Sequence, residues 1–358
     1  MGRKWGAGVR AYQREHVKAR EALEERYEDL LEADESLAEL VTGEGARAEP
    51  HHRWLPFRQQ FSPGLVRRFL EEAEPHDPVL DPFSGSGTVA IECARAGRAA
   101  IGVEGIPVLA WLTAARFRPG EDARVLELLA IARSVTGEGR AKAAPPEEQL
   151  GPTLARMIAE DRARPLRAEA HVIVGDARAL PLADASVGGV LTSPPYLSRY
   201  DYGRITSRLD AVWRGGASGA APRQMRSTLR ARGGGGAVRV RDEDLPAAAW
   251  EAIRAVQNRG RKKDADVIRA YFGDLMATLS ELHRVTRPGA PVWIVIGAAD
   301  FEREYVPSDL IAAELGKGAG FGLEGLVEAR RLRASGRMLG ERKGVSPRES
   351  VVKLVHPA

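Results

Sequence analysis

A chain of 358 residues, 44% of them hydrophobic, can bury one large core plus an accessory region. The net charge of +4 is modest, no window approaches about 18 consecutive apolar residues, and the first ten residues lack the apolar centre of a signal peptide. A cytoplasmic location with no membrane partner is therefore expected, and the single cysteine, Cys93, cannot form an internal disulfide, in keeping with a reducing compartment.

Residues 9–42 carry charged residues with apolar ones at helical intervals, which predicts a packing helix and makes residues 1–50 an N-terminal helical extension. His51-His52 is expected to be an exposed approach segment, since the histidines show no ligand spacing and no metal is expected. Phe61-Ser62-Pro63 leads into GLVRRFL, a helix. Residues 79–88 then read as a short apolar strand, VLD, running into the glycine turn Pro82 to Thr88, and VAIECARAG follows with helical spacing and a glycine stop. Glycines in such a turn let the backbone approach a ligand closely. The turn is not the full dinucleotide fingerprint, because Ala90 stands where a third glycine would be needed.

A second strand, AAIGVEG, places Glu104 at its carboxyl end, where an acidic side chain of a doubly wound sheet meets ribose hydroxyls. Residues 119–168 look like a helical insertion broken at Pro145-Pro146. The third strand, HVIVGDA, delivers Asp176 at its tip, and GGVLT reads as a fourth, buried strand that stops at Ser193-Pro194-Pro195-Tyr196. Residues 214–263 form a basic, Gly/Arg-rich insertion with 12 Lys/Arg against 4 Asp/Glu, suited to tracking phosphates by counterion release. Beyond it come an amphipathic helix, a Pro-Gly turn and a buried strand within 274–297, a further helix over 307–321, and two closing strands, GLVEARRLR and ESVVKLVH.

The most informative of these features is Ser193 to Tyr196. Neither proline has an amide hydrogen, so the turn offers carbonyl oxygens without competing donors, flanked by a hydroxyl and an aromatic ring that can stack on a base. That suits an exocyclic aromatic amine, a poor nucleophile whose hydrogens two acceptors could draw toward an attacking geometry. The motif resembles the Ser/Asp/Asn-Pro-Pro-aromatic motif of the amino-methyltransferases that modify cytosine N4 or adenine N6 in DNA, and its serine form leans toward cytosine N4. No thiol nucleophile is required, and Cys93, in the helix after the glycine turn, is read as a small buried residue.

The resemblance covers about residues 51–104, 171–213 and 264–356. It implies an α/β, Rossmann-like, seven-stranded methyltransferase sheet over 51–356 with the two insertions, and S-adenosylmethionine as cofactor. It also implies the cofactor residues. Asp81, Pro82 and the loop Phe83, Gly85, Ser86, Gly87 and Thr88 lie near the methionine part, with Phe61 and Ser62 closing over it. Glu104 and Gly105 lie on the ribose, Ile106 against the adenine, and Asp176 with Ala177 at the adenine amine. Ile106-Pro107 departs from the family's Asn-Pro and lacks the hydrogen bond that Asn would give. Catalysis falls to Ser193, Pro194, Pro195 and Tyr196. DNA contact falls to Arg199, Tyr200, Tyr202 and Arg204, and, in the basic insertion, to Arg259, Arg261, Lys262 and Lys263. The implied partners are double-stranded DNA, whose target base is flipped out, and a cognate restriction endonuclease. Adenine N6 methylation, RNA base methylation and a non-catalytic cofactor-binding specificity subunit stay open as alternatives.

Overall fold

The computed structural model describes residues 18–55, 60–118, 122–136, 147–197, 209, 213, 238–302, 304–331 and 347–358. In chain order these form α1 (Lys18–Tyr27), β1 (Leu31–Ala33), α2 (Pro63–Glu72), β2 (Val79–Asp81), α3 (Thr88–Arg95), β3 (Ala100–Glu104), α4 (Pro107–Ala114), α5 (Asp122–Thr136), α6 (Glu147–Arg162), β4 (Ala170–Val174) and β5 (Gly189–Thr192). Then follow α7 (Ala247–Asn258), α8 (Lys262–Val285), β6 (Pro291–Gly297), β7 (Ala299–Phe301), β8 (Glu304–Val306), α9 (Ser308–Gly318), β9 (Gly322–Arg331) and β10 (Arg348–Val355).

One sheet runs in the order β1-β9-β10-β6-β5-β2-β3-β4, and β7 and β8 make a separate hairpin. Strands β4, β3, β2, β5 and β6 are mutually parallel, while β10 lies antiparallel between β6 and β9. The chain leaves β2 for β3 on one side and returns to β5 on the other. The strand order therefore reverses between β2 and β5, and a crevice opens at their carboxyl ends.

The central strands β2, β5 and β6 are buried on both faces, as a sheet covered by helices requires. Along β6, Val292, Ile294 and Ile296 join the core under α7, α8 and α9, while Trp293 and Val295 turn to the opposite core under α2 and α3. Residues Trp54, Leu55 and Ile106 join the apolar faces of α4, α5 and α6 in a third cluster.

The expected seven strands are present with an eighth, β1, added in parallel at the edge of β9. Of the helix expected over 9–42, the described residues show Lys18–Tyr27; 9–17 lie outside the described residues. After Tyr27 the chain turns, Leu31–Ala33 pairs with Leu326–Glu328, and Asp34 caps the next turn by accepting from Ser36 N. An unpaired sheet edge thus overrides helical spacing. Residues 122–136 and 147–162 are helical, as the sequence predicts, whereas Pro145-Pro146 lies outside the described residues. The described part of the basic insertion is largely helical, because α7 packs on α8 and α8 begins at Lys262.

Candidate cofactor and base site

The turn after β2 is held by two backbone conformations that suit glycine, Gly85 at φ 49° and Gly87 at φ 81°. Gly87 also caps α3, and a Cβ there would lie 2.2 Å from Thr113 Cγ2. Two strand-end carboxylates tie the turn down. Asp81 Oδ1 accepts from Phe83 N at 3.0 Å and from Thr192 Oγ1 at 2.7 Å, joining β2 to β5. Glu104 Oε2 accepts from Gly85 N and Oε1 from Ile106 N, both at 2.8 Å. Burial pushes the Asp81 carboxyl up to about 6 against the pull of its two donors. Burial likewise pushes Glu104 up to about 7, with the backbone donors opposing and the nearby Asp81 charge adding to the rise.

These residues line a cleft of about 830 Å³, part of it open to solvent. Of the expected residues, Phe61, Asp81, Pro82, Phe83, Gly85, Ser86, Thr88, Glu104, Gly105, Ile106 and Ala177 line it, and so do Ser193 and Pro195 from the tip of β5. Sequence reasoning missed Gln60, Leu109 and Gly175 in the lining, while Ser84 enters it as part of the expected Phe83–Gly87 loop. Gln60 Oε1 accepts from Ser86 Oγ, while Gln60 Nε2 and Ser84 Oγ are buried without a hydrogen-bond partner among the described residues. A polar residue directly before Phe61 was the available signal for Gln60.

Five expected residues lie outside the lining. Ser62 caps α2, its Oγ accepting from Gly64 N at 3.2 Å, and Gly87 and Pro194 serve the turns beside the cleft. Asp176 is clamped by Arg178, whose Nε and Nη2 donate to its two carboxylate oxygens at 3.0 and 2.7 Å; Arg178 Nη1 donates to Asp274 at 2.8 Å. A forked guanidinium matches a carboxylate two residues away better than solvent does. Tyr196 is not an open stacking platform: the residue is 9% exposed, its hydroxyl donates to Glu349 Oε1 at 2.6 Å, and its ring lies against Gly297. Arg330 Nε donates to the other Glu349 oxygen at 2.6 Å.

The expected exposure of His51-His52 is overturned, since both are buried. His52 Nε2 bonds Glu92 at 2.8 Å and His51 Nε2 lies 3.1 Å from the Arg164 carbonyl oxygen. Glu49, His52 and Glu92 converge within metal-binding reach, but Arg67 and Arg95 already pair with both carboxylates. Cys93 is buried, and burial pushes its thiol up to about 12. Arg199, Tyr200, Tyr202 and Arg204 lie outside the described residues. Arg259 and Arg261 lie in the turn between α7 and α8, against the β7–β8 hairpin that follows the carboxyl end of β6, and Lys262 and Lys263 open α8. There Arg259 pairs with Glu304, and Arg261 with Asp264 and Glu302, so the run is less cationic than its sequence.

Residues 8–107 match a family model described as DNA methylase. The Type II methyltransferase M.AvaI of Nostoc sp. is 36% identical over 90 residues, 24% of this chain and 19% of that protein. M.BsoBI of Geobacillus stearothermophilus is 30% identical over 89 residues (24% and 18%), and M.XycI of Xanthomonas campestris pv. cyanopsidis is 39% identical over 71 residues (20% and 23%). The chain thus spans about a fifth of the length of these relatives. Among solved structures, a SAM-dependent methyltransferase from Methanosarcina mazei aligns over 82% of this chain and 97% of its own, at 11% identity and a TM-score of 0.37. That likeness adds nothing to the strand order. The matched segment, which includes the glycine turn, is similar to DNA methylases.

Proposed function

We propose that the protein transfers a methyl group from S-adenosylmethionine to the exocyclic N4 amine of cytosine in duplex DNA. The observation that carries this is the meeting of Ser193 and Pro195 with Asp81, Glu104 and the glycine turn around one cleft. The residues present fit the cofactor. Two carboxylates at neighbouring strand ends can accept from an amino group and from ribose hydroxyls, Ile106 and Leu109 give an apolar wall, and the unpartnered Gln60 Nε2 and Ser84 Oγ are polar atoms awaiting a ligand. The bound cofactor supplies an electrophilic methyl on a sulfonium.

In this reading Ser193 Oγ and the Pro194 carbonyl accept the two hydrogens of the target amine, restoring nucleophilic character to its nitrogen. The bound cofactor would supply the methyl that this nitrogen takes, and Ser193 Oγ would pass the nitrogen's surplus proton to solvent. A neutral serine can also donate its hydroxyl hydrogen to the ring acceptor beside the amine, N3 of cytosine or N1 of adenine, which an ionised aspartate cannot; the preference for cytosine rests on the serine form of the motif. Tyr196, braced by Glu349, packs the floor behind the motif. A cognate endonuclease is part of this proposal as a partner.

The test is nucleoside mass spectrometry of DNA methylated in vitro. N4-methylcytosine is the expected product, and Ser193→Ala should slow its formation roughly 100-fold with cofactor affinity near wild type. N6-methyladenine as sole product would overturn the base assignment, product in RNA alone the substrate class, and an unslowed Ser193→Ala the role of the serine.

A further inference from the structure

A second cleft, of about 1270 Å³ with part of it open to solvent, lies at the amino end of edge strand β4. Helix α4 leaves the carboxyl end of β3 and runs back, so Arg116 and Arg118 beyond it, and the 162–169 segment that enters β4, meet on the side of the sheet opposite the methyl-transfer cleft. Its lining brings together Arg116, Arg118, Arg162, Arg164 and Arg167 against one carboxylate, Glu169, which is exposed beside His171.

Arg116 is the most informative of the five. It is 4% exposed; its Nε donates to the His51 carbonyl at 2.9 Å and its Nη1 to the Leu112 carbonyl at 3.3 Å, yet Nη2 is buried without a partner among the described residues. Its guanidinium lies 5.7 Å from the Trp54 ring centroid, which favours a cation but satisfies no N–H. Asp161 is the carboxylate whose charge reaches it, and Asp161 is already engaged by Arg53 at 2.6 Å, Trp54 Nε1 at 2.8 Å and His51 N at 2.8 Å. Carbonyl oxygens hold the guanidinium in place without cancelling its charge. A buried cation with an idle donor is costly unless an anion meets it. Around it, Arg118, Arg164 and Arg167 are exposed and have no carboxylate within ion-pair reach among the described residues.

We propose that this cleft binds a phosphate-bearing ligand, with Arg116 as its buried anchor and Arg164 and Arg167 closing on the anion from outside. Guanidinium forks match phosphate oxygens two at a time, and several converging forks select phosphate over a single carboxylate. Phe117, Pro165 and Leu166 give the cleft an apolar wall for whatever body the phosphate carries. The phosphate can belong to a free small molecule or to a DNA backbone, and the proposal does not depend on the methyl-transfer reading.

The test uses the full chain and an Arg164→Ala/Arg167→Ala variant, whose exposed positions spare the core; Arg116→Met is added where its melting curve shows a folded protein. Inorganic phosphate is titrated by calorimetry against chloride at equal ionic strength, and a short duplex of mixed sequence by fluorescence anisotropy across a salt series. Phosphate binding that weakens about tenfold or more in the double variant supports the proposal with a free ligand as source. No phosphate binding, but duplex affinity reduced and its salt slope flattened by up to about 0.9 for each backbone phosphate no longer neutralised, supports it with the DNA backbone as source. Unchanged behaviour of the double variant toward both probes overturns it.

Discussion

Cofactor affinity should fall as the solution is acidified through neutrality, and Glu104 sets where. A ligand hydroxyl that donates to Glu104 selects its ionised form, while burial in the free protein holds this carboxyl near 7 and Asp81 near 6. Below its pKa each group must release a proton before it can accept, which costs about 1.4 kcal/mol, or tenfold in affinity, per pH unit. Between pH 8 and pH 6 the Glu104 proton alone weakens binding roughly tenfold and the Asp81 proton about twofold, so about 20-fold is expected in all. Calorimetry with S-adenosylmethionine in buffers of different ionisation heat reads both the affinity and the released proton. Glu104→Gln should lose the larger part of the pH dependence and bind about tenfold or more weakly at pH 8. The stability of the free protein runs in the opposite sense: with the folded pKa above the unfolded one, the Glu104 contribution is complete below about 4.5 and lost as pH rises through 7. An affinity that stays flat from pH 6 to 8 in the wild-type protein would refute the assignment of these carboxylates to the ligand.

Gly87→Ala puts a methyl where Thr113 Cγ2 already stands and forces a left-handed conformation, so a stability loss of about 2 kcal/mol or more is expected in urea unfolding; a loss below about 0.5 kcal/mol would show that the turn relaxes freely. Tyr196→Phe removes a buried hydrogen bond to Glu349 and should cost about 1.5–3 kcal/mol, with much of that cost absent in a Glu349→Gln background. Additive losses in the double variant would mean that the hydroxyl and the carboxylate do not act as a pair.

The strand ends carrying Asp81 and Glu104 were legible because short apolar runs, a glycine turn and helical spacing reinforce one another locally. The SPPY turn at the tip of β5 was legible for the same reason, as two prolines end a strand without ambiguity. What was hidden depends on distant partners. His52 meets Glu92 40 residues away and Tyr196 meets Glu349 153 residues away, and neither pairing has a local signature. The clamp on Asp176 did have one, since Arg178 stands two residues further along, but a strand-tip carboxylate invites a ligand reading before a structural one. Likewise the charge count over 214–263 registers arginines and misses Glu302 and Glu304, which lie beyond the insertion and neutralise its last turn.

The short strand β1 also changes what the first fifty residues are for. β9 is ten residues long and, without β1, would offer its outer edge to any extended chain, the arrangement from which sheets recruit one another into aggregates. Three residues in register with Leu326–Glu328 interrupt that edge, and Arg20 and Glu24 of the preceding helix bind Glu251, Glu304 and Arg348, anchoring the segment to α7, the hairpin and β10. The seam between extension and catalytic domain that the sequence suggests near residue 50 is thus no place to cut. Trimmed there, the remaining sheet would keep its cleft and lose its guard against its own copies.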